Sequence, residues 1–585
     1  MEKTLSLHIG HDATAMFIDD KGYIAISEER ISRVKNFYGF PIKAIKTIFE
    51  KKNVNWSDIK KLIITSTSLK NSKSYKNHFF FNFINQDFSN EISLSSRFLF
   101  LYSIFKKKKS FDEYLKEFLY VNRFRGKILY YDHHLCHITS SLATYPINNS
   151  YLLSLDGGGD NINWSFYSYF NFKLKLLENS KSFYQNKKFN VHDTPADIYS
   201  NTTKYLGFMR LKDEGKVMGL SASGKPIYLE YFKSILKFEN GRFKSKFGPQ
   251  KRSFLKTLQN YLNFFLFGIN YDYLQIRDMK KFLKNFTSKE DISASLQLFS
   301  EEITHQFLDY LSKKYKFKSE KLLLSGGFFS NVSINKKIKE RKDINNVFIV
   351  PNMGDGGLVL GGIYTSLKKV DKKKFSHIQK NVFFGSYSSK FKPNAKYNLL
   401  KFKKDRLYDY ISECLIKNKI VGVINNKMEF GPRALGNRSI LANPSNVNIT
   451  DILNKKLKRS DFMPFAPMIR DIDAKNILEN YSSKDYTARF MTITYNVKFK
   501  FKRKLKNIIH KDNTIRVQVI DKSQNKLCYN ILTQFYKKTG IPCLINTSFN
   551  IHEEPIVMDI EDGLRALDSS VVDLIVNEKE VLEKK

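Results

Sequence analysis

Cysteine is scarce: the 585 residues hold four, Cys136, Cys414, Cys528 and Cys543, far apart and without a CxxC pair. That argues against a disulfide framework and a cysteine-rich zinc site, so reduced thiols are expected. Tryptophan is scarcer still, at two residues. No segment reaches the roughly 18 uninterrupted apolar residues that cross a bilayer, and no membrane span is expected. The start, MEKTLSLHIGHD, lacks the basic and long apolar regions of a secretory signal, which makes the cytoplasm the expected location. Acidic residues are outnumbered, 57 Asp and Glu against 98 Lys and Arg, a formal net charge of +41. Such an excess ordinarily raises nucleic acid or an anionic membrane as a partner. Here the lysines are scattered, and Phe, Tyr, Asn and Ile are abundant as well, as in A/T-rich coding. The charge is read as a solvated surface that still attracts an anionic substrate, and no nucleic-acid partner is expected. The densest aromatic region, HFFFNFINQDF followed by SSRFLFLYSIFKKKK, is broken by polar residues and reads as amphipathic helix.

The length implies more than one domain. Hydrophobic content of 42% and charged content of 26% suit a globular chain. The opening reads as three strands, Leu5–Ile9, Ala13–Ile18 and YIAIS, the last following the turn DDKG. KILYY, YLLSL, KLLLS and VFIV are short apolar runs of the kind buried on both faces of a sheet. Three of them end in SLDGGGD, LLSGGFFSN and VPNMGDGG, where ligands bind in open α/β sheets. Residues 293–315 place Leu296, Phe299, Ile303, Phe307 and Leu311 on one helical face, with His305 read as structural. Between about Leu367 and Phe402 charge density rises and periodicity weakens. A boundary is placed there, giving units 1–375 and 376–585. After it come a helix over 406–417, the strand IVGVI, a helix over 530–538 and the strand PCLIN. No fixed-period repeat is visible.

Three of the eleven histidines fall within HHLCH at 133–137. On a helix, His133 and His137 share a face one turn apart and can bind one cation while His134 points elsewhere. Asp156 and Asp355, at strand ends, could complete a His/Asp site suited to Fe, Mn or Zn. A capped helix with spare histidines is the alternative. In DEGKVMGL, Lys216 could neutralise a phosphate or sit in a solvated turn. EFGPRALGNRSILANP carries Arg433, Arg438 and the adjacent Ser439 close to Gly431 and Gly436, and arginine forks there read as an anion site in preference to a surface turn. Lys458, Arg459 and Arg516, with Asn546, Thr547, Ser548 and Asn550 at the end of PCLINTSFN, extend that reading to a second anion or nucleotide site.

In order along the chain, HDATA with EERISRVKNFYGFP, HHLCH, LDGGGD, EGKVMGL, GGFFSNVSIN, GDGG, EFGPRALGNRSILANP, RSDFMPFAP, TIRVQVI and IPCLINTSFN resemble the O-carbamoyltransferases of nodulation and antibiotic tailoring. The resemblance covers nearly the whole chain. It implies an α/β protein with an N-terminal actin/sugar-kinase-like domain, a duplicated RNase H-like unit, and a C-terminal α/β domain resembling threonylcarbamoyl-AMP synthase. It implies an enzyme whose C-terminal domain joins carbamoyl phosphate and ATP into carbamoyl-adenylate. The N-terminal domain would then pass the carbamoyl group to a hydroxyl of a small molecule or glycan. Carried over residue by residue, His133, His137, Asp156 and Asp355 would hold a metal, expected to be Fe(2+), with Mg(2+) accompanying ATP. Asp12, His11 and Lys35 would be catalytic. Lys216, Gly326, Gly327 and Asn331 would bind carbamoyl-adenylate, and Arg433, Arg438, Ser439, Lys458, Arg516, Asn546 and Ser548 would bind carbamoyl phosphate and ATP. A homodimer stands among the expectations. Asn36 after Lys35, Met463 before PFAP and SASGKP after EGKVMGL depart from the family pattern. A tRNA threonylcarbamoyl transferase-like RNA-modification protein is the alternative, favoured by the basic charge and disfavoured by GPRALGNRS.

Overall fold

A computed structural model describes residues 1–72, 110–180, 194–247, 274–283, 288–375, 379, 381–388, 390–391, 396–457, 465–551 and 553–585. The aromatic run at 78–109 and Lys458 lie outside them.

The first sheet is built from β1 (Thr4–His8), β2 (Thr14–Asp19), β3 (Gly22–Ser27), β4 (Lys61–Ile64) and β5 (Lys127–Tyr130), in the order β3-β2-β1-β4-β5. The first three strands are antiparallel neighbours, and β1, β4 and β5 run parallel. Alternation sorts the side chains. Leu62 and Ile64 join Leu5, Leu7, Phe17 and Ile26 on one face, packed by the helices Ile42–Lys52 and Phe111–Val121. Ile63, Met16 and Ile18 turn to the other. A strand with a period of two, covered on both faces, produces this division.

The second sheet comprises β6 (Ser150–Gly159), β7 (Ile162–Phe170), β8 (Lys173–Asn179), β9 (Glu320–Ser325) and β10 (Ile344–Ile349), ordered β10-β9-β6-β7-β8. Its strand directions repeat those of the first sheet. The chain therefore contains one five-strand pattern twice, a duplication that sequence periodicity does not disclose. Two helices, His133–Thr144 and Leu358–Ser366, pack on one another and share a core with both sheets. Their approach is close: a Cβ on Gly361 would lie 1.8 Å from the Cys136 carbonyl oxygen. Thr139 Oγ1 donates to the Gly361 carbonyl at 3.0 Å. The long helix runs over Lys289–Tyr315, its N-terminus capped by Ser288, and Leu296, Phe299, Ile303, Phe307 and Leu311 are all buried. His305 lies beside Arg341, 3.3 Å from its Nη1.

The third sheet has eight strands, β11 (Tyr397–Lys401), β12 (Val421–Ile424), β13 (Arg438–Ala442), β14 (Ala466–Arg470), β15 (Gln518–Ile520), β16 (Cys543–Ser548), β17 (Leu574–Val576) and β18 (Glu580–Lys584). They are ordered β11-β18-β17-β12-β13-β16-β14-β15. Helices Lys404–Ile416 and Lys526–Thr539 cover one face through Leu407, Ile411, Ile531 and Phe535. All four cysteines are buried thiols.

The halves meet through continuous packing. Phe430, Leu435, Phe490 and Met491 belong to the same core as the second sheet, and Tyr486 stacks on Tyr145 with ring centroids 5.3 Å apart. Arg33 donates to the carbonyls of Pro555 (2.7 Å) and Ile556 (2.9 Å), and Arg30 to that of Gly431 (2.8 Å). Among the described residues no helix is long and apolar enough to cross a membrane.

The close contact at Gly361 makes a direct prediction. Gly361→Ala is expected to destabilise the protein by about 1–3 kcal/mol through overpacking, read as a lower thermal midpoint. Gly215→Ala, in a helix where the added Cβ meets nothing within 4 Å, should leave that midpoint unchanged or raise it.

Candidate functional site

The His133–Thr144 helix begins where β5 delivers the chain into the space between the repeated sheets. Asp132 caps it by accepting from the Leu135 N–H at 2.8 Å, and the His133 N–H donates to Asp160 at 2.9 Å. Asp160 also accepts from Ser66 Oγ (2.6 Å) and from the N–H groups of Thr67 and Ser68 (2.8 Å each). Although burial opposes ionisation, these donors hold its carboxyl down at about 2.

One turn apart, His133 and His137 bring their Nε2 atoms to 3.1 Å. Asp156, at the end of β6, places Oδ2 at 3.2 Å from His137 Nε2 and 3.8 Å from His133 Nε2. Asp355 comes from the turn after β10, its Oδ1 at 3.5 Å from His133 and 3.6 Å from His137. One donor atom from each of the four lies within 4.8 Å of the others. Ligands about 2.0–2.2 Å from one ion stand roughly 3–4 Å apart, so this nitrogen and carboxylate set fits a divalent metal. The surroundings keep the space open. A Cβ on Gly159 would lie 2.3 Å from the His133 ring, and one on Gly327 3.3 Å from Asp156 Oδ1. Burial resists protonation of His133, but Asp355 and Asp156 raise it to about 9. Asp156 is held well below the carboxylate range by both imidazoles despite its burial.

His134 turns away from this group. Its Nδ1 lies 2.7 Å from Ser154 Oγ and its Nε2 3.0 Å from the Ile162 carbonyl, so it ties the helix to the second sheet. Burial first, then His133 and His137, pushes it down to about 3. His8, which the motif reading passed over, is buried behind Asp355 with its Nε2 at 3.6 Å from Oδ2. Thr65 Oγ1 and the His11 carbonyl, at 3.1 and 3.0 Å, fix its ring. A histidine inside a strand gives no periodic signal of such a role.

A cavity of ≈ 1420 Å³ opens beside the cluster, and residues from both halves line it. Asp156 and Asp355 reach it, as do His11, Asp12, Lys35, Lys216, Gly327 and Asn331. From the C-terminal half come Arg433, Arg516, Ser548 and Asn550. Residues that sequence reasoning assigns to anion sites in separate domains therefore face one shared space.

Four expected ligand-binding residues lie away from its lining. Arg438 is fully buried in β13, where its guanidinium donates to the carbonyls of Met558, Asn425 and Asn437, each at 2.8 Å. Burial lowers its pKa to about 10. Every branch of the fork is turned to backbone, so Arg438 fastens the sheet. Ser439 Oγ accepts the Gly436 N–H at 2.8 Å. Asn546 Nδ2 donates to Gln518 Oε1 at 2.6 Å. Gly326 packs against β6, where a Cβ would fall 2.2 Å from the Leu155 carbonyl oxygen. The loop before Arg438 is shaped by Glu429, whose Oε1 accepts from the N–H groups of Leu435 (2.7 Å), Asn437 (2.7 Å) and Arg438 (3.1 Å). Asn331 caps the Val332–Lys339 helix and donates to Gln297 Oε1 at 2.8 Å.

At the cavity wall His11 Nδ1 lies 3.2 Å from Asp12 Oδ2, and Nε2 lies 3.1 Å from the Leu211 carbonyl oxygen. With acceptors on both ring nitrogens, the ring is an imidazolium. Burial opposes the charge, but Asp12 outweighs it and raises His11 to about 10. Asn36 Nδ2 donates to the other Asp12 oxygen at 3.1 Å. Because the folded pKa exceeds the ordinary 6.5, this pairing stabilises the fold fully below pH 6.5 and loses its effect as pH rises through 10. His11→Gln should therefore lower the thermal midpoint at neutral pH, with the gap to wild type closing towards pH 10.

Known proteins carry the same order of parts. Residues 3–363 match the family described as Carbamoyltransferase N-terminus, and 412–584 that described as Carbamoyltransferase C-terminus. An uncharacterised protein of Methanocaldococcus jannaschii is 31% identical over 576 residues, 95% of each chain. Nodulation protein NolNO of Sinorhizobium fredii is 26% identical, covering 98% of this chain and 79% of its own. The 3'-hydroxymethylcephem-O-carbamoyltransferase of Amycolatopsis lactamdurans is 26% identical over 44% of this chain and 48% of its own. Among solved structures, HypF of T. kodakarensis shows 13% identity and a TM-score of 0.31, covering 62% of this chain and 48% of its own. With both family segments matched in sequence along most of its length, this chain belongs to the carbamoyltransferase family and is a carbamoyltransferase.

Proposed function

We propose that the enzyme is an O-carbamoyltransferase that activates carbamoyl phosphate with ATP as carbamoyl-adenylate and transfers the carbamoyl group to a hydroxyl of a small molecule or glycan. The observation that carries this reading is the single cavity joining the His133, His137, Asp156 and Asp355 cluster to Arg433, Arg516 and Ser548. The cephem relative, whose name is that of an O-carbamoyltransferase, supports a hydroxyl acceptor. The twice-used five-strand order supports reading 1–375 as a duplicated RNase H-like unit of the actin/sugar-kinase kind. Residues 376–585 are read as the adenylate-forming unit.

Lone-pair donation from nitrogen and oxygen makes the carbamate carbon a poor electrophile until it carries a good leaving group. Mass balance requires carbamoyl phosphate, ATP and water to yield carbamoyl-adenylate, inorganic phosphate and pyrophosphate. Arg433 and Arg516 would hold the phosphate oxygens through their planar forks, with Ser548 as a further donor. In the second step the acceptor oxygen attacks the carbamoyl carbon, the bond to the AMP phosphate breaks, and the proton passes to Asp12. His11, as an imidazolium, and Asn36 orient that carboxylate. His133, His137, Asp156 and Asp355 would hold Fe(2+), which when bound supplies Lewis-acid polarisation of the carbonyl. Lys35 and Lys216 would bear on the departing phosphate. Because the cavity is bounded by both halves, the adenylate would pass between steps with limited exposure to bulk water.

Two variants divide the steps. His137→Ala should lower carbamoyl transfer at least 100-fold while ATP–pyrophosphate exchange, dependent on carbamoyl phosphate, stays within about two-fold of wild type. Arg516→Ala should lose the exchange by a similar factor. Loss of both activities in folded His137→Ala protein would refute the division. Asp12→Asn should reduce transfer by about 100-fold or more without touching exchange.

A further inference from the structure

The cavity contains an ion cluster at the seam between the halves. Lys35, Lys212 and Lys216 come from the N-terminal half, and Glu553 reaches them from the segment after β16. Lys212 Nζ lies 2.5 Å from Glu553 Oε2, and Lys216 Nζ lies 3.8 Å from Oε1 and 2.8 Å from Asp213 Oδ1. Lys35 faces both Glu553 and Lys212 electrostatically, and among the described residues no carboxylate comes within ion-pair distance of its ammonium. The neighbouring Glu29 is engaged elsewhere, by Arg30 at 3.3 Å and the Asn36 N–H at 2.8 Å.

The backbone presents Glu553 deliberately. Its φ of +61° lies in the left-handed region, which side chains with a Cβ rarely adopt. The flanking chain is fixed: Asn550 Nδ2 donates to the carbonyls of Ile551 (3.1 Å) and Glu554 (3.2 Å), and Arg33 holds those of Pro555 and Ile556. The Glu553 side chain itself is 42% exposed and points to the lysines.

Charge decides which ligand fits. Three ammonium groups face two carboxylates, Glu553 and Asp213, leaving one positive charge in excess. A monoanion that replaced Glu553 would leave the same excess, whereas a phosphate dianion would neutralise the cluster and supply more acceptor oxygens. We propose that Glu553 is a specificity-determining residue, occupying a seat that Lys35, Lys212 and Lys216 form for a phosphate group and yielding it only to a phosphate-bearing ligand. The exchange swaps one set of ion pairs for another and involves no covalent step. It deepens the proposed function and rests on the reading that a phosphorylated carbamoyl donor enters this cavity.

Calorimetric titration of the full chain with AMP tests the seat. Glu553→Gln and Glu553→Gly should each bind AMP at least about five-fold more tightly than wild type, since an internal competitor is removed. The gain should vanish when either change is made together with Lys212→Ala. Unchanged or weaker AMP binding in both single variants overturns the proposal. So does a gain confined to Glu553→Gly, which would trace to backbone strain, or a gain that survives Lys212→Ala, which would lie at another site. Assaying carbamoyl-adenylate formation in parallel separates the two readings. Wild type that makes the adenylate while the Glu553 variants bind AMP unchanged rejects the seat alone; tightened binding without adenylate formation rejects the reaction alone.

Discussion

Two buried imidazoles and two half-buried carboxylates are held together at the cavity wall, and much of the N-terminal architecture answers that constraint. Burying Asp156 and Asp355 is costly unless positive charge or a metal stands close by. The chain meets the need with a helix whose first turn presents His133 and His137 on one face. That helix must lie near both strand ends, so its neighbours are trimmed to glycine at 159 and 361. Asp160, in turn, anchors the helix start and the 66–68 turn. The repeated sheets thus frame a cleft, and the cluster sits where the two repeats face each other.

The C-terminal half completes that cleft. Arg33 and Arg30 bind backbone carbonyls across the seam, and the Tyr145–Tyr486 stack extends one core into the next unit. Carbonyl contacts of this kind depend on the path of the chain more than on the side chains that line it. Relative placement of the halves is therefore fixed by the fold, leaving the cavity surface available for chemistry.

Much of this was legible in the sequence, and the failures have a common physical form. Buried strands declared themselves as apolar runs, and the i, i+4 histidines stood out because helical geometry pairs them. Arg438 misled because an arginine beside glycines looks the same whether its fork meets phosphate or carbonyl oxygen. The distinction lies in Met558 and Asn425, distant in sequence and adjacent only in the folded sheet. Glu429 was silent for a related reason: a carboxylate that gathers three N–H groups of the next loop has no signature beyond its own letter. Glu553 shows the same limit, since its lysine partners belong to the opposite half. Local chemistry is readable along the chain; pairing across it is not.

At ≈ 1420 Å³ the cavity exceeds the roughly 300–1,000 Å³ of an ordinary small-molecule site. Residues of both halves line that space, so a ligand that moved between the His/Asp cluster and Arg433 and Arg516 would do so without leaving the protein.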